Sequence, residues 1–153
     1  MIICLTVVVE NLLCLPESNC TVGHGFDVFE IAGINNDSDC NEEGYSNFTN
    51  LIANLEPGST NSLTVTSNYG NQYIKVWIDF NDDLVYDNDT ELVYQGESTN
   101  VNPTTLDASF LVPSDAELGT HNMRIGTADS GQATPNPCYS GSYGVTIDMI
   151  VNI

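Results

Sequence analysis

Tyr73-Ile74-Lys75-Val76-Trp77-Ile78-Asp79-Phe80-Asn81-Asp82-Asp83-Leu84-Val85-Tyr86-Asp87 holds the reading that decides the fold. Ile74, Val76 and Ile78 alternate with Tyr73 and Lys75, which is the period of a strand that packs one face inward and turns the other outward. Trp77 breaks the polar side, and a tryptophan in mid-strand is expected as a core plug, here with Phe80 and Tyr86. From Asp79 onward the alternation gives way to Asn and Asp, the composition of a turn.

Working outward, the same alternation recurs at Leu63 and Val65. Further short runs fall at Phe26 to Ile31, Ser62 to Ser67, Glu91 to Tyr94, Leu106 to Val112, His121 to Thr127 and Tyr143 to Ile153, each bounded by Gly, Asn, Asp or Pro. Helical periodicity is almost absent. The expectation is an all-β chain of about eight or nine strands, an antiparallel β-sandwich of the jelly-roll or Ig-like kind. A length of 153 residues with 41% hydrophobic side chains suits one core, and no internal repeat divides it.

The 21 acidic residues face only 2 basic ones, a net charge of -19. Such a chain repels phosphate backbones and anionic head groups, so no nucleic acid and no membrane insertion are expected, and cations are the natural small partners. The run that follows the Trp77 strand reads D-x-N-x-D-x-x-x-D, with oxygen ligands at Asp79, Asn81, Asp83 and Asp87 and with Glu91 or Asp89 placed to complete a shell. Calcium takes such hard oxygen ligands, so Ca2+ is the expected cofactor. The run is no helix–loop–helix calcium loop: Leu84 stands where the sharp turn wants Gly, Thr90 where the bidentate Glu belongs, and no helix flanks it. Catalysis has no constellation here. There is no G-x-S-x-G, and His24 and His121 sit in unrelated surroundings, so no enzyme is expected.

Five cysteines without a C-x-x-C pair argue for disulfides in an oxidising compartment. Four of them allow three pairings; Cys20 with Cys40 would close the Asn-rich loop, Cys14 with Cys138 would tie the first segment to the last, and Cys4 is left over. Sequons at Asn19, Asn36, Asn47 and Asn88 fall in expected loops and are possible glycosylation sites, although 18 asparagines produce such triplets by chance. Residues 1–13 form an apolar leader that lacks a Lys or Arg before its apolar run, is interrupted by Glu10 and is too short to span a bilayer. Ile2, Ile3, Leu5, Val7, Val8 and Val9 are apolar on both faces of a strand, as a strand buried between layers would be. That strand either completes its own sandwich or fills the edge of a neighbour.

From Cys14 to Ile153 the chain resembles the GEVED domain, a β-sandwich module of secreted and cell-surface bacterial proteins, as in Bacteroidetes. The resemblance rests on Cys14 and Cys20 with Gly23-His24-Gly25, on Ile34 to Cys40, and on Tyr45-Ser46-Asn47-Phe48-Thr49. It continues through Val76-Trp77-Ile78-Asp79-Phe80-Asn81-Asp82-Asp83, Val112-Pro113, Gly119 to Ile125, and Pro137-Cys138. The name-giving motif stands here as Gly144-Val145-Thr146-Ile147-Asp148, and the first arginine of the family's R-M-R is Asn122, a paired loss of opposite charges that a missing internal salt bridge would explain. The resemblance implies an extracellular accessory or adhesive module. The function expected is a calcium-stabilised structural protein of the cell surface that self-associates through its N-terminal strand into filaments. The alternative is a carbohydrate-binding module presenting Tyr69, Tyr73, Tyr94, Tyr139 and Tyr143 to surface glycans.

Overall fold

The computed structural model describes residues 12–20, 26–38, 44–68 and 71–153. The leader strand expected at Ile2 to Val9, together with Cys4, His24, Cys40 and Tyr69, lies outside the described residues.

Eleven strands and no helix make up the described chain. They are β1 (Phe26–Ile31), β2 (Ile34–Asp37), β3 (Tyr45–Asn54), β4 (Thr60–Asn61), β5 (Leu63–Ser67), β6 (Gln72–Ile78), β7 (Leu92–Glu97), β8 (Thr104–Asp107), β9 (Phe110–Leu111), β10 (Thr120–Asp129) and β11 (Thr146–Asn152). One sheet has the order β2-β1-β5-β8, a second the order β3-β11-β10-β6-β7, and β4 pairs with β9 at the side. Phe29, Ile31, Leu63 and Val65 from the first sheet and Ile74, Val76, Ile78, Met123, Ile125, Ile147, Met149 and Val151 from the second form one buried cluster. The two sheets are therefore packed face to face, and the all-β, disulfide-tied sandwich read from alternation is the fold found.

Three features depart from the expectation. β3 runs parallel to β11 at the edge of an otherwise antiparallel sheet, and its register steps from Phe48 opposite Met149 to Ile52 opposite Ile150. A parallel neighbour needs a crossover, and here the chain makes that crossover through both sheets. The run Leu106 to Val112 is two short strands, β8 and β9, assigned to different sheets. Asn36 and Asn47 lie on β2 and β3 and not in loops. The Nδ2 of Asn36 is buried, whereas the exposed Asn47 accepts hydrogen bonds from the Thr49 amide (3.0 Å) and hydroxyl (2.8 Å).

Trp77 is fully buried as expected, but outside the inter-sheet core. On β6 it points away from Val76 and Ile78, and its ring lies 6.5 Å from that of Tyr86 on the outer face of the five-stranded sheet. Gly126 of the adjacent strand makes this possible, since a Cβ there would stand 3.2 Å from the indole ring. Phe80 instead turns its ring edge-on to His121, centroids 6.3 Å apart.

The chain offers trypsin only Lys75, in mid-β6, and Arg124, which is 0 % exposed in β10. The native protein should therefore stay intact under trypsin for hours, since cleavage requires opening the central strands. Fragments from a native digest, seen on a gel, would contradict the paired burial of β6 and β10.

Candidate functional site

β6 ends at Ile78, and the chain leaves the sheet at Asp79 and returns at Glu91 before β7. The backbone closes this loop at its base: the Ile78 amide donates to the Glu91 carbonyl (3.0 Å), and the Asp79 amide to the Asn122 carbonyl (2.9 Å). These bonds continue the strand pairing that the alternation of β6 established, and they bring the first and last predicted ligands together.

Inside the loop each carboxylate is aimed by its own sequence neighbours. Asp79 is 0 % exposed and accepts the amides of Asp83 (3.1 Å) and Leu84 (3.0 Å). Asn81 accepts the Asp83 amide through Oδ1 (2.9 Å) and donates from Nδ2 to Asp83 Oδ2 (3.2 Å), while Asp83 Oδ1 accepts the Val85 amide (2.9 Å). Such side-chain to backbone bonds two residues on are what Asp and Asn contribute to turns. Asp82 and Leu84 have positive φ, 55° and 64°. The left-handed turn that a glycine would favour is thus made at Leu84 all the same, at a cost of about 1 kcal/mol.

The far half of the loop divides the predicted ligands. Glu91 is 2 % exposed; its Oε2 accepts the Asp87 amide (2.8 Å), and its Oε1 is buried with no hydrogen-bond partner. Asp87 is exposed and its Oδ1 accepts the amides of Asp89 (2.7 Å) and Thr90 (3.0 Å). Asn88 Oδ1 accepts the Trp77 indole N–H (2.9 Å), so this sequon residue also fastens the loop to the sheet.

Burial raises the Asp79 carboxyl above its usual range, against the Leu84 and Asp83 amides, and the charges of Asp82 and Asp83 add to the rise. Burial likewise raises Glu91, opposed by the Asp87 amide and helped by the charges of Asp79 and Asp83. Asp87 is shifted the other way, lowered by the amides of Asp89 and Thr90. No basic side chain forms an ion pair with Asp79 or Glu91 among the described residues. Arg124 is bound to Asp148, and His121 contacts Asp82 through Nδ1 (3.1 Å) and the Glu117 carbonyl through Nε2 (2.8 Å). The loop thus buries two neighbouring carboxylates with no positive charge beside them, an arrangement whose cost a divalent cation would relieve. Among the described residues, no three His, Cys, Asp or Glu side chains already converge on one point; the loop's own amides hold them.

A second arrangement was missed at the level of residues. Arg124 of β10 binds Asp148 of β11 through Nε to Oδ1 and Nη2 to Oδ2, both 2.6 Å. Its Nη1 donates to the carbonyls of Cys14 (2.9 Å) and Pro137 (2.6 Å), and the Tyr86 ring lies 5.1 Å from the guanidinium. Asp148 Oδ2 also accepts the Tyr45 hydroxyl (2.8 Å), and burial beside Asp148 pushes that phenol up to about 12. The Cys14–Cys138 disulfide closes over this cluster, with Cα atoms 5.6 Å apart. Cys20 is disulfide-bonded too, and Cys40, its expected partner, lies outside the described residues.

The register also corrects the account of the altered motif. Asn122 pairs with Ile150 and Arg124 with Asp148, on the outer face, while Val145 and Ile147 are buried toward the inter-sheet core. Side chains at 122 and at 145 or 147 thus project to opposite faces, so no salt bridge joins these positions. The retained Arg124 and Asp148 are the pair that the sequence preserves. Gly144 is kept because a Cβ there would lie 2.3 Å from the Thr127 carbonyl oxygen.

Three of the tyrosines expected to face a glycan are placed apart among the described residues. Tyr139 is buried and donates to the Ser142 carbonyl (2.9 Å), Tyr94 packs against the inter-sheet core, and Tyr73 lies on the opposite face.

A family profile described as GEVED domain matches residues 73–152, a little over half of the chain. The match runs from β6 through the acidic loop to β11 and contains both Arg124 and Asp148. No curated protein and no solved structure matches the chain. No described helix is long and apolar enough to cross a membrane.

Proposed function

As the chain belongs to the GEVED domain family, we propose that it is an extracellular structural or adhesive module of the cell surface, stabilised by calcium and self-associating through its N-terminal strand. The observation that carries this reading is the way the chain enters the domain. Cys14 is bonded to Cys138 and its carbonyl is held by Arg124, so the segment that follows the leader is fastened across the outer face of the five-stranded sheet. Disulfides persist in oxidising surroundings, which supports a place outside the cell. Leu12 and Leu13 line one groove with Tyr45, Asn47 and Thr49 of β3, the edge strand. The edge strand β3 leaves backbone groups open as a template for strand addition, which supports the reading that an apolar leader joins a neighbouring sheet. Leu12 and Leu15, 78 % and 69 % exposed, extend an apolar surface there.

Size-exclusion chromatography with light scattering, followed by electron microscopy, tests the proposal on the full chain and on a chain lacking residues 1–13. The full chain in calcium should form oligomers or filaments, and the truncated chain should stay folded and monomeric. A strictly monomeric full chain at physiological salt would overturn self-association.

A further inference from the structure

We propose that the Cys14–Cys138 bridge is a thiol-exchange site, at which a cysteine thiolate carried on an apolar peptide bonds to Cys138 and Cys14 leaves. The two sulfurs of the bridge stand in unlike surroundings. Cys138 is exposed, whereas Cys14 is half-buried and its Sγ lies 3.6 Å from Nη1 of Arg124, a side chain 0 % exposed. Asp148 engages Nε and Nη2 of the same guanidinium. Nη1 is thus the nitrogen that serves Cys14 and the Pro137 carbonyl.

In thiol–disulfide exchange the sulfur that departs as the more stable thiolate leaves faster. An arginine N–H beside a sulfur stabilises its thiolate, and more strongly where water is excluded. Attack at Cys138 therefore expels the better leaving group, and the exposed sulfur is also the one within reach. The step balances without an oxidant. A new S–S bond forms to Cys138 as the Cys14–Cys138 bond breaks, the electron pair departs on Cys14 Sγ, and the incoming thiol has given its proton to solvent.

The kind of thiol follows from what flanks the bridge. Leu12, Leu84, Val85 and Pro137 line a groove together with both cysteines, and Leu12 and Val85 are 78 % and 55 % exposed. A net charge of -19 repels an anionic thiol, so an uncharged apolar peptide is the carrier that fits. Opening the bridge leaves its two segments joined. Arg124 still holds the carbonyls of Cys14 and Pro137, and the Glu17 amide donates to the Tyr139 carbonyl (2.9 Å). Cys138 thus stays beside the groove while it is exchanged.

The test exposes the full wild-type chain, at mildly alkaline pH, to acetyl-Ile-Ile-Cys-Leu-amide, whose sequence is that around Cys4, and to acetyl-Gly-Gly-Cys-Gly-amide. N-ethylmaleimide stops the exchange, and mass spectrometry after proteolysis locates peptide and maleimide. In native protein the peptide should sit on Cys138 and the maleimide on Cys14, at least about tenfold over the reverse. The apolar peptide should react at least about threefold faster than the glycine one. In urea both preferences should vanish, because the fold creates them. No peptide on Cys138 in native protein, an equal division between the two cysteines, or the same preference in urea would overturn the exchange site. Equal rates for the two peptides would overturn the part given to the groove. The part given to Arg124 is read separately from pH profiles of alkylation: Cys14 in Cys138→Ser should reach its plateau at lower pH than Cys138 in Cys14→Ser, and coincident profiles in variants shown by near-UV circular dichroism to be folded would overturn it.

Discussion

Asp148→Ala is expected to lower the unfolding free energy by about 3–5 kcal/mol, because it leaves the Arg124 guanidinium buried without its counter-charge. Arg124 is 0 % exposed and both of its bonds to Asp148 are 2.6 Å long. The substitution also removes the acceptor of the Tyr45 hydroxyl. The remaining guanidinium contacts, the carbonyls of Cys14 and Pro137 and the Tyr86 ring, carry partial charges and quadrupoles and not a full negative charge. For a domain of this size the loss corresponds to a fall in Tm on the order of 10 °C. Urea unfolding with an unchanged m-value checks it, and a loss below about 1 kcal/mol would show that the pair is not isolated from water. The double variant Arg124→Met with Asp148→Leu removes both charges and should recover most of the stability, as replaced buried pairs do.

The Cys14→Ser, Cys138→Ser double variant is the second large effect. The bridge joins residues 124 apart in sequence, and in the chain-entropy account a loop of that length contributes about 4–5 kcal/mol by restricting the unfolded chain. The folded state loses something as well, since the bridge holds the Cys14 carbonyl against Arg124. Urea midpoints of the variant and of wild type decide the matter; equal midpoints would mean that the segment is held by its other contacts alone. Combined with Asp148→Ala, the effects should be less than additive, because both changes release the same segment from the same guanidinium.

The acidic loop was legible because its signal is local. Asp and Asn at alternate positions bond to amides two residues away, and the bonds of Asn81, Asp83 and Asp87 are of this kind. That Leu84 would take a left-handed conformation was not legible, since the loop compels there what the residue itself disfavours. The different fates of Asp87 and Glu91 were equally hidden. Nothing in their spacing says that one is exposed and the other buried, which follows from the pairing of Glu91 with Ile78 at the base of the loop.

The same division holds for the fold. By itself the sequence determined the all-β class, the inward face of β6 through Ile74, Val76 and Ile78, the span of β1 at Phe26–Ile31, and a turn after Asp79, because a period of two is written in neighbouring residues. Only the tertiary structure decided that Ile34–Asp37 is a strand, that Tyr45–Asn54 runs parallel to β11, and that Trp77 is buried on the outer face. Ile-Asn-Asn-Asp is held by backbone bonds to β1 across the turn at Ala32 and Gly33, and the mixed residues of β3 by bonds to the distant β11; backbone bonds leave no mark in side-chain type. Trp77 is covered by Tyr86 from a loop, and the neighbouring Arg124 by a segment fastened through a disulfide 124 residues away; which segment covers a face is a property of the closed chain and of no stretch within it.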